Sequence, residues 1–557
     1  MLLGKEFKFL FHIPAIDGVR NDIHIIKEKL HYDNGKTVPN LKIVKDYKIP
    51  FYITQQHKRN HKDKKEYEDI ENLVKYVSTV SDLPANAAIR LGINKYKPTM
   101  RDVAMSPYLY GADTSSWVHI KKAYVDKYPD LHGDKAIYDV CGFDIETLVT
   151  TGEIIIISIA THDKLFVAIN RCIVLEHTDL EDKLNSLYNE HMPKTDITNN
   201  IKKEYLICDT EVDLILETFK RLHLWQPDFV EVWNIDFDVP YVLNVLKKNN
   251  IDPKNVFCDP SLPDNYKVFD YQEGQKHRTT EAGVFKPLKY FEQWHTVYAP
   301  ASFYWIDGMC AYYFLRPGSK KIVGGYGLDS ILSIVLGNKY KKLKIPLPGT
   351  EGLAKYAWFK IMAEKYPLHF IIYNIWDTIS MLHADDVTRD LKFDLPMQSG
   401  LSPFNVFNSN PKRSVNSLYY FYKENGGIIS TKAPIIVNDK ILGLDKWIAI
   451  LPSYNVKDNG VKNIKGAPTL ATNIRGHNRD ADQEAGYPSN EEAGNVSKAT
   501  TEREVIDIAG IDKDIFKLQN INSLFGTVNS LEYCTTMYNF PNLLTLKKNI
   551  ATTIKQL

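Results

Sequence analysis

The chain has 557 residues, too many for one hydrophobic core, so about three or four domains are expected. With 44% hydrophobic and 25% charged residues, the composition excludes a disordered, collagenous or membrane-embedded chain. Lys and Arg total 69 and Asp and Glu 68, so net charge says nothing about partners, and any nucleic-acid contact has to come from local clusters.

The opening stretch, MLLGKEFKFLFHIPAIDG, has an apolar patch broken by charge. It is too short to span a membrane and lacks a small-residue cleavage site, so a soluble, unexported, cytoplasmic protein is expected. Cys141, Cys172, Cys208, Cys258, Cys310 and Cys534 lie too far apart to build a zinc knuckle or a CxxC pair and read as reduced core thiols. The charged run His57 to Glu68 interleaves acids with lysines and reads as a solvated helix face or loop.

From Ile137 the pattern changes to β-rich runs, IYDVCGFDIETL, EIIIISIAT and KLFVAIN, which predict a three-stranded meander. Strands are also expected at Tyr205 to Cys208 and Phe229 to Trp233, flanking a helix over Glu211 to Leu224 with three-to-four apolar spacing. A meander followed by alternating helices and strands implies a mixed α/β sheet with helices packed on it. Beyond Asp390 the signal weakens to an aromatic helical stretch within Asn405 to Asn425 and a polar run, Ser453 to Arg503, that reads as a linker.

Several acids stand out. Asp144 and Glu146 are two apart on an apolar strand, so both side chains share one face, and charges there need a compensating partner. Asp238 follows a strand end, with Pro240 expected in the first turn of the next helix; an N-cap role explains the acid as well as a catalytic one does. Tyr373 and Asp377 are four apart on an apolar helix and stack on one face, where they could simply bond each other. Lys339, Lys341, Lys342 and Lys344 read as a solvated loop, with contact to a DNA backbone as the other use.

Taken in order, these segments resemble the DEDDy 3′→5′ exonuclease domain of family B DNA polymerases, particularly those of T-even-like and giant bacteriophages. Asp144 and Glu146 stand in its first motif, DIE. Asn234 and Phe237-Asp238 stand in the second, and Tyr373 and Asp377 in the third, YxxxD. The segments Trp305-Ile306-Asp307 and Tyr326-Gly327-Leu328-Asp329 are similar to those that precede the third motif in the phage enzymes. The resemblance implies a ribonuclease H-like fold and two-metal phosphodiester hydrolysis. Asp144, Glu146, Asp238 and Asp377 would hold two Mg²⁺ or Mn²⁺ ions, Tyr373 would orient water, and Asn234 and Phe237 would position the single-stranded 3′ end.

Downstream, Asp482 to Ser489 is similar to the family's polymerase motif DxxSLYPS at Asp482, Tyr487, Pro488 and Ser489, with Ala485-Gly486 in place of Ser-Leu and no apolar strand before it, so that it reads as a diverged or vestigial palm motif or as a chance match in a polar loop. The resemblance makes Asp482 a metal ligand and places Tyr487 under the incoming sugar. Neither the second polymerase aspartate motif nor the basic nucleotide-gripping helix follows in order: Asn522 to Gly526 mimics the latter with Lys517 one residue out of register. The expected organisation is an N-terminal domain over 1–135, the exonuclease domain over 136–395 and a partial palm over 396–557. A second polypeptide would carry the rest, with Phe516 to Phe540 as a docking segment or a terminal core helix. The rival readings are a free-standing DEDD nuclease and a catalytically silent, DNA-binding scaffold.

Overall fold

Three long strands, β1 (Leu2–Ile13), β2 (Ile23–Tyr32) and β3 (Thr37–Lys45), open the chain as an antiparallel sheet in the order β1-β2-β3. The structure, a computed structural model, describes residues 1–433 except 63, 134–135, 176–178, 280–284, 318–321 and 323. Asp482, Tyr487, Asn522, Cys534 and the Phe516 to Phe540 segment lie outside the described residues. The named helices and strands belong to one unit, Met1–Arg59 with Tyr67–Lys432.

Helix α1 (Ser116–Lys127) packs on β1, where Trp117 meets Phe7 edge-on at 5.5 Å. A second small sheet pairs Ile49–Thr54 with Leu73–Ser78 and Leu109–Tyr110.

The centre is a six-stranded mixed sheet. Its strands are β4 (Val140–Thr147), β5 (Ile154–Ala160), β6 (Lys164–Asn170), β7 (Lys202–Cys208), β8 (Phe229–Val232) and β9 (Tyr304–Asp307), in the spatial order β7-β6-β5-β4-β8-β9. The expected meander is present: β4, β5 and β6 pair antiparallel. β7, β8 and β9 join in parallel, each after a crossover. This is the ribonuclease H-like α/β arrangement, and every residue of β5 is buried because helices cover both faces.

The two faces have separate cores. On one, Cys141, Phe143 and Ile145 of β4 join residues of α3 (Glu211–Trp225) and α4 (Ile235–Lys248). On the other lie residues of α2 (Leu180–His191) and α8 (Pro367–Thr388). Between α4 and α8 in the chain come α5 (Gly308–Phe314), α6 (Leu328–Val335) and α7 (Lys355–Lys365).

Helix α3 starts where Thr210 accepts the Asp213 N–H at 3.1 Å. α8 starts with Pro367 in its first turn and stops at Arg389, whose φ is 60°. Its buried residues run almost without a break from Pro367 to Leu382, as suits a helix enclosed on several sides.

Two sequence expectations change. Pro240 sits inside α4, beyond its first turn. Cys141, Cys208, Cys258 and Cys310 are buried as expected, but Cys172 is exposed. After the sheet, α9 (Asn410–Glu424) leads to a short strand, Gly427–Ile429, that pairs with Tyr67–Asp69, and Tyr419 is buried in one cluster with Tyr52 and Tyr110.

Candidate active site

The strand period that sends Phe143 and Ile145 into one core turns Gly142, Asp144 and Glu146 toward α8. Gly142 is what allows α8 to lie so close: a Cβ there would stand 2.6 Å from the Thr378 carbonyl oxygen. α8 in turn presents Tyr373, Asn374 and Asp377, all buried. Oxygens of Asp144, Glu146 and Asp377 come within 4.8 Å of one another. Glu146 and Asp377 are buried and Asp144 is half-buried at the edge of a cavity of 1340 Å³. Asn234, Phe237, Asp238, Lys342 and Tyr373 line the same cavity.

Asp238 is placed differently from the other three acids. Asn234 is the N-cap of α4, Asp238 sits at the end of the first turn, and its Oδ1 accepts the Ile145 N–H at 3.2 Å. It is therefore tied to the backbone between Asp144 and Glu146, is not the helix cap, and falls outside the tight group of three. Phe237, 41% exposed, stands beside Tyr241 with ring centroids 4.7 Å apart.

Lys342 departs from its expected place in a solvated loop. Its ammonium donates to Asp377 Oδ2 and, at 3.1 Å, to the Tyr373 hydroxyl. Two bonds hold the main chain there: Asp329 Oδ1 accepts the Lys342 N–H at 3.0 Å, and the Trp376 indole donates to the Lys341 carbonyl at 2.8 Å. Lys339, Lys341 and Lys344 are exposed, and of these Lys344 also lines the cavity.

The acids outnumber the cation, and their protonation reflects it. Burial, then Asp238, Glu146 and Asp377, push Asp144 well above the usual carboxylate range. Burial and Asp377 do the same to Glu146. Burial lifts Asp238 to about 7 against the opposing Ile145 N–H bond. Asp377 is also raised by burial, although Lys342 opposes the shift. Burial disfavours the Lys342 ammonium, yet Asp377, Tyr373 and Asp144 outweigh it and hold it charged.

The donor set suits a hard divalent cation. It consists of oxygens only, and Asp377 Oδ1 is buried with no hydrogen-bond partner among the described residues. Such an ion would take the place of protons on these groups.

Residues 103–281 match the family model for the exonuclease domain of DNA polymerase family B. The match covers less than half of the chain. It contains Asp144, Glu146, Asn234, Phe237 and Asp238, and it ends before Lys342, Tyr373 and Asp377, which the fold brings to the same cavity. No curated protein matches the chain. Among the described residues no helix is long and apolar enough to cross a membrane.

Asn374 and Asp307 had no assigned role in the sequence, and Lys342 had only that of a solvated loop or a DNA-backbone contact. Lys342 carries no signal separating it from the neighbouring lysines. Asn374 stands out only as a polar residue within an apolar helix. Asp307 ends β9, where one carboxylate accepts both the Ile235 N–H at 2.9 Å and the Cys310 N–H at 2.8 Å, and so anchors the start of α4 and of α5.

Proposed function

We propose that the chain is a two-metal 3′→5′ exonuclease acting on DNA ends, the proofreading part of a family B DNA polymerase of viral type. The observation that carries this reading is the meeting of Asp144, Glu146 and Asp377 within 4.8 Å, beside Tyr373 in a cavity large enough for a strand terminus. Asp144, Glu146, Asp238 and Asp377 are the residues to hold two Mg²⁺ or Mn²⁺ ions. When bound, such a pair supplies charge stabilisation for the attacking and leaving oxygens of phosphodiester hydrolysis.

The chain's own residues supply the rest. Burial, then the neighbouring Asp377 charge, raises the Tyr373 pKa well above the ordinary phenol value. The hydroxyl therefore keeps its proton and can orient a water toward the phosphorus. Lys342 accompanies it as a fixed positive charge. Phe237 offers an exposed ring on which any terminal base can stack, and Asn234 lies beside it at the cavity wall. Water adds to phosphorus, the bond to the 3′ oxygen breaks, that oxygen receives a proton, and a nucleoside 5′-monophosphate leaves.

The test is digestion of 5′-labelled single-stranded DNA with Mg²⁺ or Mn²⁺ by the full chain and by an Asp144→Ala plus Glu146→Ala variant. Stepwise shortening from the 3′ end is expected from the first, and a rate lower by about 10²–10³-fold or more from the second. Equal rates, or cleavage inside the strand, would overturn the assignment.

A further inference from the structure

Asn374 is completely buried on α8, next to Tyr373 and three residues before Asp377. Its Nδ2 donates to Asp144 Oδ2 at 2.6 Å. Its Oδ1 is buried with no hydrogen-bond partner among the described residues. An amide whose acceptor goes unmet costs stability, so filling space between strand and helix is a poor reason for an asparagine here.

The main chain behind it is braced. The Ser158 and Thr378 hydroxyls bond each other, and the one that accepts in that pair donates to the Asn374 carbonyl oxygen, which lies 3.1 Å from Thr378 Oγ1 and 3.3 Å from Ser158 Oγ. Ser158 is the cross-strand partner of Asp144. The turn of α8 that carries Asp377 is thereby fastened to the strand pair that carries Asp144, at the point where Gly142 permits close approach.

We propose that Asn374 is a positioning residue that orients the Asp144 carboxylate for metal binding. By donating to one oxygen it sets the rotation of the carboxylate and leaves the other oxygen for a cation. A neutral amide does this without the competing charge that an ammonium would bring. The inference rests on the metal reading given above. It goes beyond that reading by making the spacing of Asp144 and Asp377 depend on a residue that binds no metal itself. Partners of this kind change metal affinity by about 10–100-fold when removed.

The test is Mn²⁺ binding by the full chain without nucleic acid, followed by the paramagnetic signal of free Mn²⁺, for the unaltered chain, Asn374→Ala, Asn374→Leu, Asn374→Ser and Asp144→Ala. Leu keeps the volume and removes the donor, whereas Ser retains a shorter donor. About tenfold weaker binding is expected for Ala and Leu, with Ser between them and the unaltered chain. Digestion by the Ala and Leu variants should recover as Mn²⁺ is raised, which damage to the fold alone would not produce. Unchanged binding in Ala and Leu beside a clear loss in Asp144→Ala would overturn this inference alone. Absence of Mn²⁺ binding by the unaltered chain would overturn the metal reading together with it.

Discussion

Two of the buried charge groups in this fold are balanced in opposite ways. Where the N-terminal sheet meets the central one, Asp228 is fully buried between lysines of β1 and β2. Lys29 Nζ reaches its Oδ2 at 2.6 Å and Lys8 Nζ at 3.6 Å. Lys29 also holds Asp139 at 2.6 Å, and Lys27 donates to the Ser302 and Gln226 carbonyls at 2.6 and 3.0 Å. Burial raises the Asp228 pKa, but Lys8, Lys29 and Lys27 outweigh it and bring it to about 2. Around the cavity, six acids (Asp144, Glu146, Asp238, Asp329, Glu351 and Asp377) stand against three lysines (Lys342, Lys344 and Lys355), and burial with mutual repulsion holds Asp144 and Glu146 far above the usual range. In the first group the lysines hold the acid ionised, although Asp228 Oδ1 has no hydrogen-bond partner among the described residues. The second lacks positive charge, which is the condition expected where a cation is to be taken up.

The largest expected effect lies in the first group. Asp228→Ala takes from Lys8 and Lys29 the buried carboxylate they share, leaving Lys8 with Glu6 and Lys29 with Asp139, and removes the acceptor of the Asp139 N–H bond at 2.9 Å. Breaking one side of such a buried set costs about 3–5 kcal/mol, measurable by urea unfolding at neutral pH. A loss below about 1 kcal/mol, the range of exposed ion pairs, would show that the lysines find other partners and that the contrast between the two groups is false.

A smaller effect concerns acid. Because the folded pKa of Asp228 is about 2 and its ordinary value is 3.8, the unfolded chain binds the proton more readily. Its contribution is present in full above pH 3.8 and disappears as pH falls through 2, amounting to about 2 kcal/mol. Unfolding measured between pH 5 and the acid limit should therefore show the unaltered chain losing its advantage over Asp228→Asn within that window. A difference that stays constant through the window would remove the lysines as the cause of its low pKa.

How much of this was legible from residues alone follows the same division. Asp144 and Glu146 can be read because a period of two on an apolar strand forces both onto one face, and Tyr373 and Asp377 because four residues make a helical turn. Local periodicity thus conveys direction, and the meander and the helix over Glu211 to Leu224 follow from it as well. What it omits is partnership across distance. Lys342 looks like any lysine in a basic loop until Asp329 and Trp376 pin its backbone, and its ammonium then turns inward. Asp228 and Lys29 are 199 positions apart, and nothing local to either announces the other. The early placement of Pro240 failed for a related reason: α4 begins at Ile235, held by Asp307 from a strand far along the chain.

The smallest expected effect sets the two groups directly against each other through one kind of substitution. Asp228→Asn should destabilise, because an amide cannot satisfy the lysines around it. Asp144→Asn, in buffer freed of divalent ions, should stabilise. The asparagine oxygen can still accept from Asn374, while the cost of burying an ionisable group beside Asp238, Glu146 and Asp377, which Asp144 meets by taking up a proton, is removed. The gain should be about 1 kcal/mol, the lower end of what neutral replacement of buried charge gives, read as a higher urea midpoint with an unchanged slope. Mn²⁺ should then raise the midpoint of the unaltered chain and leave that of Asp144→Asn nearly where it was, since only an ion that binds the folded state preferentially adds stability. If Asp144→Asn were instead destabilising without metal, the carboxylate would be serving the fold, and the cavity would be a second balanced ionic group like that around Asp228.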